Sequence, residues 1–326
     1  MRTHRWLHWL KLLIGLGLIG WLYLEIDRRE SVWQVLMSIR PDYLLLSGLL
    51  LVPNLLLAYG KWRYLLSRRF QNITFGEAWG SLLLGYALGV ITPGRLGELG
   101  RALYFEERDK MAVTGLNLLD KAANQMVFFT LGVIACLVLI LRGKLWSLPQ
   151  ALPVLIPGGL LLALLWTMLF NPRRSRWWLY RLTRRWRHLP WLRSLLSAYQ
   201  GLAPRDTVFI AALSLAWILV IVLQYHLLMQ AFTDVSPVAS FLAVTAALFV
   251  KTLLPLTFGD LGIREGTLVF FYALFQVSPA AVLNASLIIF LINFCLPALA
   301  GLYYLWQVRL RREPAAPSTE EMLEIE

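Results

Sequence analysis

Arg95, Glu98 and Arg101 stand three residues apart, interleaved with Gly94, Gly97 and Gly100, in a stretch that is otherwise apolar. Asp260, Arg264 and Glu265 form a second charged group far downstream. Both groups contain Gly-x-Leu-Gly, at 94–97 and at 259–262, and both follow a proline, Pro93 and Pro255. Arginine in such a setting suits phosphate, because its planar fork donates two parallel hydrogen bonds and it does not deprotonate. On a helix Glu98 lies beside either arginine, so one pairing leaves a net positive charge for an anion. The glycines permit a backbone turn, close helix approach, or backbone N–H groups aimed at a phosphate from a helix start. In the second group Asp260 is placed to cap a helix beginning near Gly262. Arg264 and Glu265 then fall in its first turn, either as an internal ion pair or with Arg264 sharing an anion with Arg95 or Arg101.

Other polar residues interrupt apolar stretches. Asp120 and Lys121 open one of them, with Asn124 and Gln125 a turn later, and Lys251 precedes the second motif. A lone charge at membrane depth costs about 2.5–3.5 kcal/mol on insertion scales, so Asp120, Lys121 and Lys251 require partners or a wet cavity. Asn54, Gln224, Asn284 and Asn293 read as bridges between helices. Cys136 and Cys295 lack metal-ligand spacing, and His4 and His8 have no carboxylate helper, so neither a metal site nor a cofactor is expected. No nucleophile elbow, zinc-protease or phosphate-loop motif is present, so no enzyme is expected. Gly15, Gly17 and Gly20 match a dinucleotide pattern without its strand context and read as a packing face. The Asn72 sequon adjoins a loop placed inside the cell.

The elements that hold these residues are membrane spans. The chain has 326 residues, 58% of them hydrophobic and 15% charged, against about 25% charged in soluble domains. Apolar blocks at 12–24, 43–59, 122–141, 152–170, 208–228 and 280–305 approach or exceed a bilayer span of about 20 residues. The net charge of +12 is concentrated in short loops, which points to a membrane orientation signal rather than nucleic acid. The segment 171–205 carries nine arginines and no acid, interleaved with Trp177, Trp178, Trp186 and Trp191. It reads as an amphipathic cytoplasmic segment, either a topology anchor or a site for anionic lipid. Lys61, Arg63, Arg68 and Arg69 mark a second cytoplasmic loop, and both termini fall inside.

Crossing parity then forces 75–105 to start and end inside and 236–276 to start and end outside. Each breaks at its proline–glycine motif, so each is expected to be a re-entrant hairpin, with Pro93, Gly94, Gly97, Pro255, Gly259 and Gly262 forming the turns. The expected fold is an all-α polytopic membrane protein with about six full spans and two oppositely oriented re-entrant hairpins, an inverted 4+4 repeat. Repeat one covers about 8–145 and repeat two about 150–310, within a membrane domain of 1–312, and 313–326 is a disordered acidic tail.

The motif Pro93-Gly94-Arg95-Leu96-Gly97-Glu98 with Arg101, then Asp120-Lys121, then Pro255 with Gly259-Asp260-Leu261-Gly262-Ile263-Arg264-Glu265-Gly266, resembles the flippase-like transmembrane region of lysylphosphatidylglycerol synthases over roughly 8–310. Asp260 stands where that family commonly has glycine, which adds an acid. The resemblance implies a stand-alone member without the soluble aminoacyl-transferase domain, moving a polar lipid between leaflets of the plasma (inner) membrane. The lipid would be a phospholipid, an aminoacylated phospholipid or a polyprenyl-phosphate-linked lipid. In that reading Arg95, Arg101 and Arg264 hold phosphate. Glu98, Asp260 and Glu265 hold a cationic substituent or balance the arginines, and Asp120, Lys121 and Lys251 complete the binding set. A small-solute or ion-coupled transporter, and a membrane scaffold for a lipid-modifying enzyme, are the alternatives. Membrane lipids are the expected partners and nucleic acid is not; a lipid-modifying synthase or glycosyltransferase, and a homodimer, are left open.

Overall fold

A computed structural model describes residues 5–90, 92, 95–171, 177, 181, 202–253 and 260–312. Pro93, Gly94, Pro255, Gly259, most of the basic segment and the acidic tail lie outside the described residues. All regular structure among the described residues is helical.

In chain order these are α1 (Arg5–Asp27), α2 (Val32–Met37), α3 (Pro41–Leu49), α4 (Leu51–Arg69), α5 (Phe75–Val90), a 3₁₀ helix (Leu96–Tyr104), α6 (Lys110–Leu141) and α7 (Leu148–Phe170). They are followed by α8 (Pro204–Phe232), α9 (Pro237–Leu253), α10 (Ile263–Ala273), α11 (Pro279–Phe290), a π turn (Leu291–Cys295) and α12 (Leu296–Arg312). Among the described residues four stretches are long and apolar enough to cross a membrane: Pro41–Arg69, Lys110–Leu141, Pro204–Phe232 and Pro279–Leu310.

Two boundaries differ from the sequence expectation, and capping explains one of them. Asp109 accepts from the N–H groups of Met111 and Ala112 at 3.0 and 3.2 Å, so α6 starts at Lys110. Asp120 and Lys121 therefore lie in the body of α6 rather than opening it. A cap ignores the polarity of the turns that follow, whereas a hydropathy reading stops at them. Likewise α4 runs on to Arg69, so Lys61 and Arg63 are helical residues and not part of a loop.

After α5 the chain doubles back on itself through the 3₁₀ helix. A Cβ at Gly85 would come within 2.7 Å of Arg101 Cγ, and one at Gly89 within 2.9 Å of Glu98 Cγ. These paired contacts, rising in one segment and falling in the other, define an antiparallel hairpin whose charged side chains lie across glycine. α9 and α10 pack against each other in the same order around the second motif.

The hairpins cross over to the opposite half of the chain: α5 packs along α12, and α9 packs along α6. Each crossing is closed by a glycine. A Cβ at Gly132 on α6 would fall on the side chain of Phe249, and one at Gly301 on α12 would fall on the backbone of Leu83. Filling a packed contact costs about 1–3 kcal/mol and more where backbone must move. Gly132→Leu and Gly301→Leu are therefore expected to lower the melting temperature of the detergent-solubilised protein. Gly60→Leu, where a Cβ meets nothing within 4 Å, should leave it unchanged. Equal melting of all three would contradict this packing.

Candidate functional site

The 3₁₀ helix explains why a three-residue spacing carries the first motif. At three residues per turn, side chains at i and i+3 eclipse. Arg95, Glu98 and Arg101 therefore form one row, while Gly97 and Gly100 lie against Leu88 of α5. Glu98 Oε1 meets Arg95 Nε at 2.6 Å, and its Oε2 meets Lys121 Nζ at 2.5 Å and Arg101 Nη2 at 3.8 Å. The carboxylate thus joins both arginines and a lysine from α6. Asn117 Nδ2 donates to the Glu98 carbonyl at 2.6 Å and ties the 3₁₀ helix to α6.

A second carboxylate continues the network. Asp120 Oδ2 accepts from Arg101 Nη1 at 3.1 Å, and its Oδ1 pairs with Lys61 Nζ at 2.8 Å. Lys61 is 2% exposed and also donates to Asn124 and, at 3.2 Å, to Ser214 Oγ. This overturns the reading of Lys61 as a loop residue: it is the buried counter-ion of Asp120.

In the second motif Lys251 Nζ pairs with Asp260 Oδ2 at 2.7 Å. Asp260 does not cap α10. Glu265 does so instead, its Oε2 accepting from Gly262 N at 2.7 Å, while its Oε1 accepts from Arg264. Arg264 Nε also donates to Ser286 Oγ at 3.2 Å. The local ion pair between Arg264 and Glu265 is the one the sequence offered.

Arg95 and Asp260 occupy the same place in the two Gly-x-Leu-Gly motifs and share a left-handed backbone, with φ of 58° and 62°. Non-glycine residues seldom adopt this conformation, and they keep it where their surroundings impose it. Two chain segments therefore repeat not only letters but an uncommon backbone state, at residues of opposite charge.

The two motifs meet at one cavity of about 220 Å³, lined by Arg95, Glu98, Arg101, Asp120, Lys121, Lys251 and Asp260 together with Lys61, Asn124, Gln125 and Trp217. A smaller void of about 100 Å³ extends to Arg264 and shares Tyr86, Arg95, Phe128, Trp217, Lys251 and Asp260 with the first. Glu265 lines neither; it is fully buried behind Arg264. On the larger cavity five cationic side chains face three carboxylates, a formal excess of two positive charges.

Aromatic rings hold the cations in place. Phe294 lies 4.1 Å from the Arg95 guanidinium and Phe290 lies 4.9 Å from that of Arg264. Both rings flank or occupy the π turn, an irregularity often found at functional sites. Trp62 lies 4.9 Å from the Arg101 guanidinium, and Trp217 5.6 Å from Lys61 Nζ. Ring faces stabilise a cation while leaving its N–H edges available.

Lys61, Trp217, Tyr86 and Phe128 escaped the sequence reading. A signal for the first two existed. Asn54 and Lys61 are seven residues apart on one helix, as are Trp217 and Gln224, so each pair shares a helix face. Gln224 indeed bonds Asn54 and Asn293, at 3.3 and 2.9 Å, and Trp217 Nε1 donates to Asn54 Oδ1 at 2.9 Å. Asn284 bonds the Val32 carbonyl at 2.9 Å. These four amides bridge helices as their positions suggested. Among the described residues no three His, Cys, Asp or Glu side chains converge on a metal-sized site.

A family model described as lysylphosphatidylglycerol synthase TM region matches residues 8–301. No curated protein matches this chain.

Proposed function

This chain belongs to the lysylphosphatidylglycerol synthase TM region family, and from that premise we propose that it is a lipid flippase-like transporter whose cavity receives the phosphate-bearing headgroup of a polar lipid. The family and the apolar helices make it an integral membrane protein with a lipid-related role. The observation that carries the finer reading is convergence. Two motifs from opposite halves of the chain line one cavity with an excess of positive charge. A polar cavity between interrupted helices suits a headgroup and not a hydrocarbon chain.

In this reading the two hairpins are re-entrant, enter from opposite faces, and belong to an inverted repeat. The reciprocal packing of α5 on α12 and α9 on α6 supports it, as does the shared left-handed backbone at Arg95 and Asp260. The membrane is the plasma (inner) membrane, with both termini cytoplasmic. Arg95, Arg101 and Lys251 hold phosphate; Glu98 and Asp260 balance them or meet a cationic substituent. Alternating access tilts one half against the other about the cavity. In this reading the cavity moves lipid and does not modify it.

The reading predicts that mass spectrometry of the purified protein finds a phosphate-bearing lipid enriched over the bulk membrane. Lys251→Gln, which removes a cavity cation from a partly exposed pair, should lose that enrichment. Displacement of the lipid by excess glycerol phosphate would be consistent with headgroup binding. Retention of the bulk lipid mixture by both proteins would count against it.

A further inference from the structure

An apolar slot of about 510 Å³ lies between α6, α7, α9 and α10, apart from the charged cavity. Val133, Cys136 and Ile140 on α6 form one wall and Phe270 and Phe271 on α10 another, with Leu145 and Trp146 in the turn after α6. Its volume falls within the range of small-molecule sites, roughly 300–1,000 Å³. Thr267 is the one hydroxyl on its described lining, and that hydroxyl already donates to the Arg264 carbonyl at 3.0 Å. A slot without free polar groups excludes water and favours an apolar guest. Two glycines keep it open: a Cβ at Gly158 on α7 or Gly266 on α10 would meet nothing within 4 Å.

The slot and the charged cavity lie on different faces of the same turn of α9. At the end of α9, Lys251 and Thr252 line the cavity, while Val250 and Leu253 line the slot. We infer that the slot binds one hydrocarbon chain of the lipid whose headgroup occupies the cavity. This rests on the headgroup reading above and extends it to the chain. A lipid with its phosphate beside Lys251 sits across one turn of α9 from this apolar volume, within the span of a headgroup and one chain. The chain then runs along α6 toward Leu145 and Trp146, so the substrate is recognised at both ends.

The test uses the full chain in liposomes of phosphatidylethanolamine and phosphatidylglycerol, with a phosphatidylglycerol carrying a diazirine at the end of one acyl chain. After photolysis, adducts are mapped by peptide mass spectrometry. Adducts should concentrate on residues 133–146, 249–253 and 266–271, above the level on the exposed face of α1 at Leu13, Leu16 and Trp21. Gly266→Leu and Gly158→Leu, which place side chains into open space from two different helices, should each reduce slot labelling to the α1 level. Labelling spread evenly over α1 and the slot, and unmoved by either variant, means bulk lipid only and overturns the inference. Slot labelling that survives Arg95→Gly but is lost in Gly266→Leu upholds the slot while counting against the headgroup reading. Loss in Arg95→Gly with no change in either filled variant overturns the slot alone.

Discussion

Asp120→Ala is expected to be the most destabilising single change in this protein. Asp120 is the counter-ion of Lys61 and Arg101, which are 2% and 5% exposed. Removing one member of a buried ionic group costs about 3–5 kcal/mol, because the remaining charge is left uncompensated. The two cations respond differently. A buried lysine can shed its proton, whereas arginine cannot. The residual penalty therefore falls on Arg101, for which Glu98 at 3.8 Å is a poor substitute. This sets an order. Asp120→Ala should lower folded yield and melting temperature most. Asp120→Asn, which keeps an acceptor oxygen for Arg101, should be intermediate. Lys61→Met should be mildest, since Asp120 retains Arg101. Thermal unfolding in detergent reads the series, and wild-type melting of Asp120→Ala would show that the network does not exist as described.

Arg95→Gly should separate stability from function. The left-handed backbone at Arg95, φ 58°, costs a non-glycine residue about 1–2 kcal/mol, and glycine adopts it freely. The ion pair with Glu98 is lost, but the buried Glu98 keeps Lys121 at 2.5 Å as its counter-ion, so no uncompensated charge is left. Melting should stay at or slightly above wild type. Headgroup binding, in contrast, loses a charged donor. Hydrogen bonds to charged groups contribute about 1.5–3 kcal/mol, roughly 10- to 100-fold in affinity. Arg95→Lys should fall between, keeping the charge without the fork. Asp260→Gly relieves the same strain at φ 62° but releases Lys251, so lipid binding should change while the fold holds.

How much of this was legible follows from what sequence encodes locally. The apolar blocks all fall on helices, four of them in stretches long enough to cross a membrane, and the charged motifs fall between and within them because charge interrupts hydropathy. The row of Arg95, Glu98 and Arg101 was visible as a period of three. That the period belongs to a 3₁₀ helix was not, because on an α-helix the same residues are also near neighbours. The cap at Asp109 was readable, but the polar turns after it disguised the start of α6. Lys61 was misplaced because a lysine beside Arg63, Arg68 and Arg69 looks like a loop marker. Only tertiary packing reveals that it points at Asp120, 59 positions away. Asp260 lost its expected capping role for a similar reason: the nearby Lys251 claims it, and Glu265 caps α10 while keeping its pair with Arg264.

The central claim is that the shared charged cavity carries a lipid headgroup between leaflets, and translocation in proteoliposomes tests it most directly. Phosphatidylglycerol with a fluorescent acyl chain is placed in both leaflets, and the fraction bleached by external dithionite is followed with time. Wild-type protein should expose label from the inner leaflet well beyond the protein-free half. Arg95→Gly, at equal reconstituted amount and wild-type melting, should return to the protein-free level. Translocation by Arg95→Gly at the wild-type rate would contradict the account.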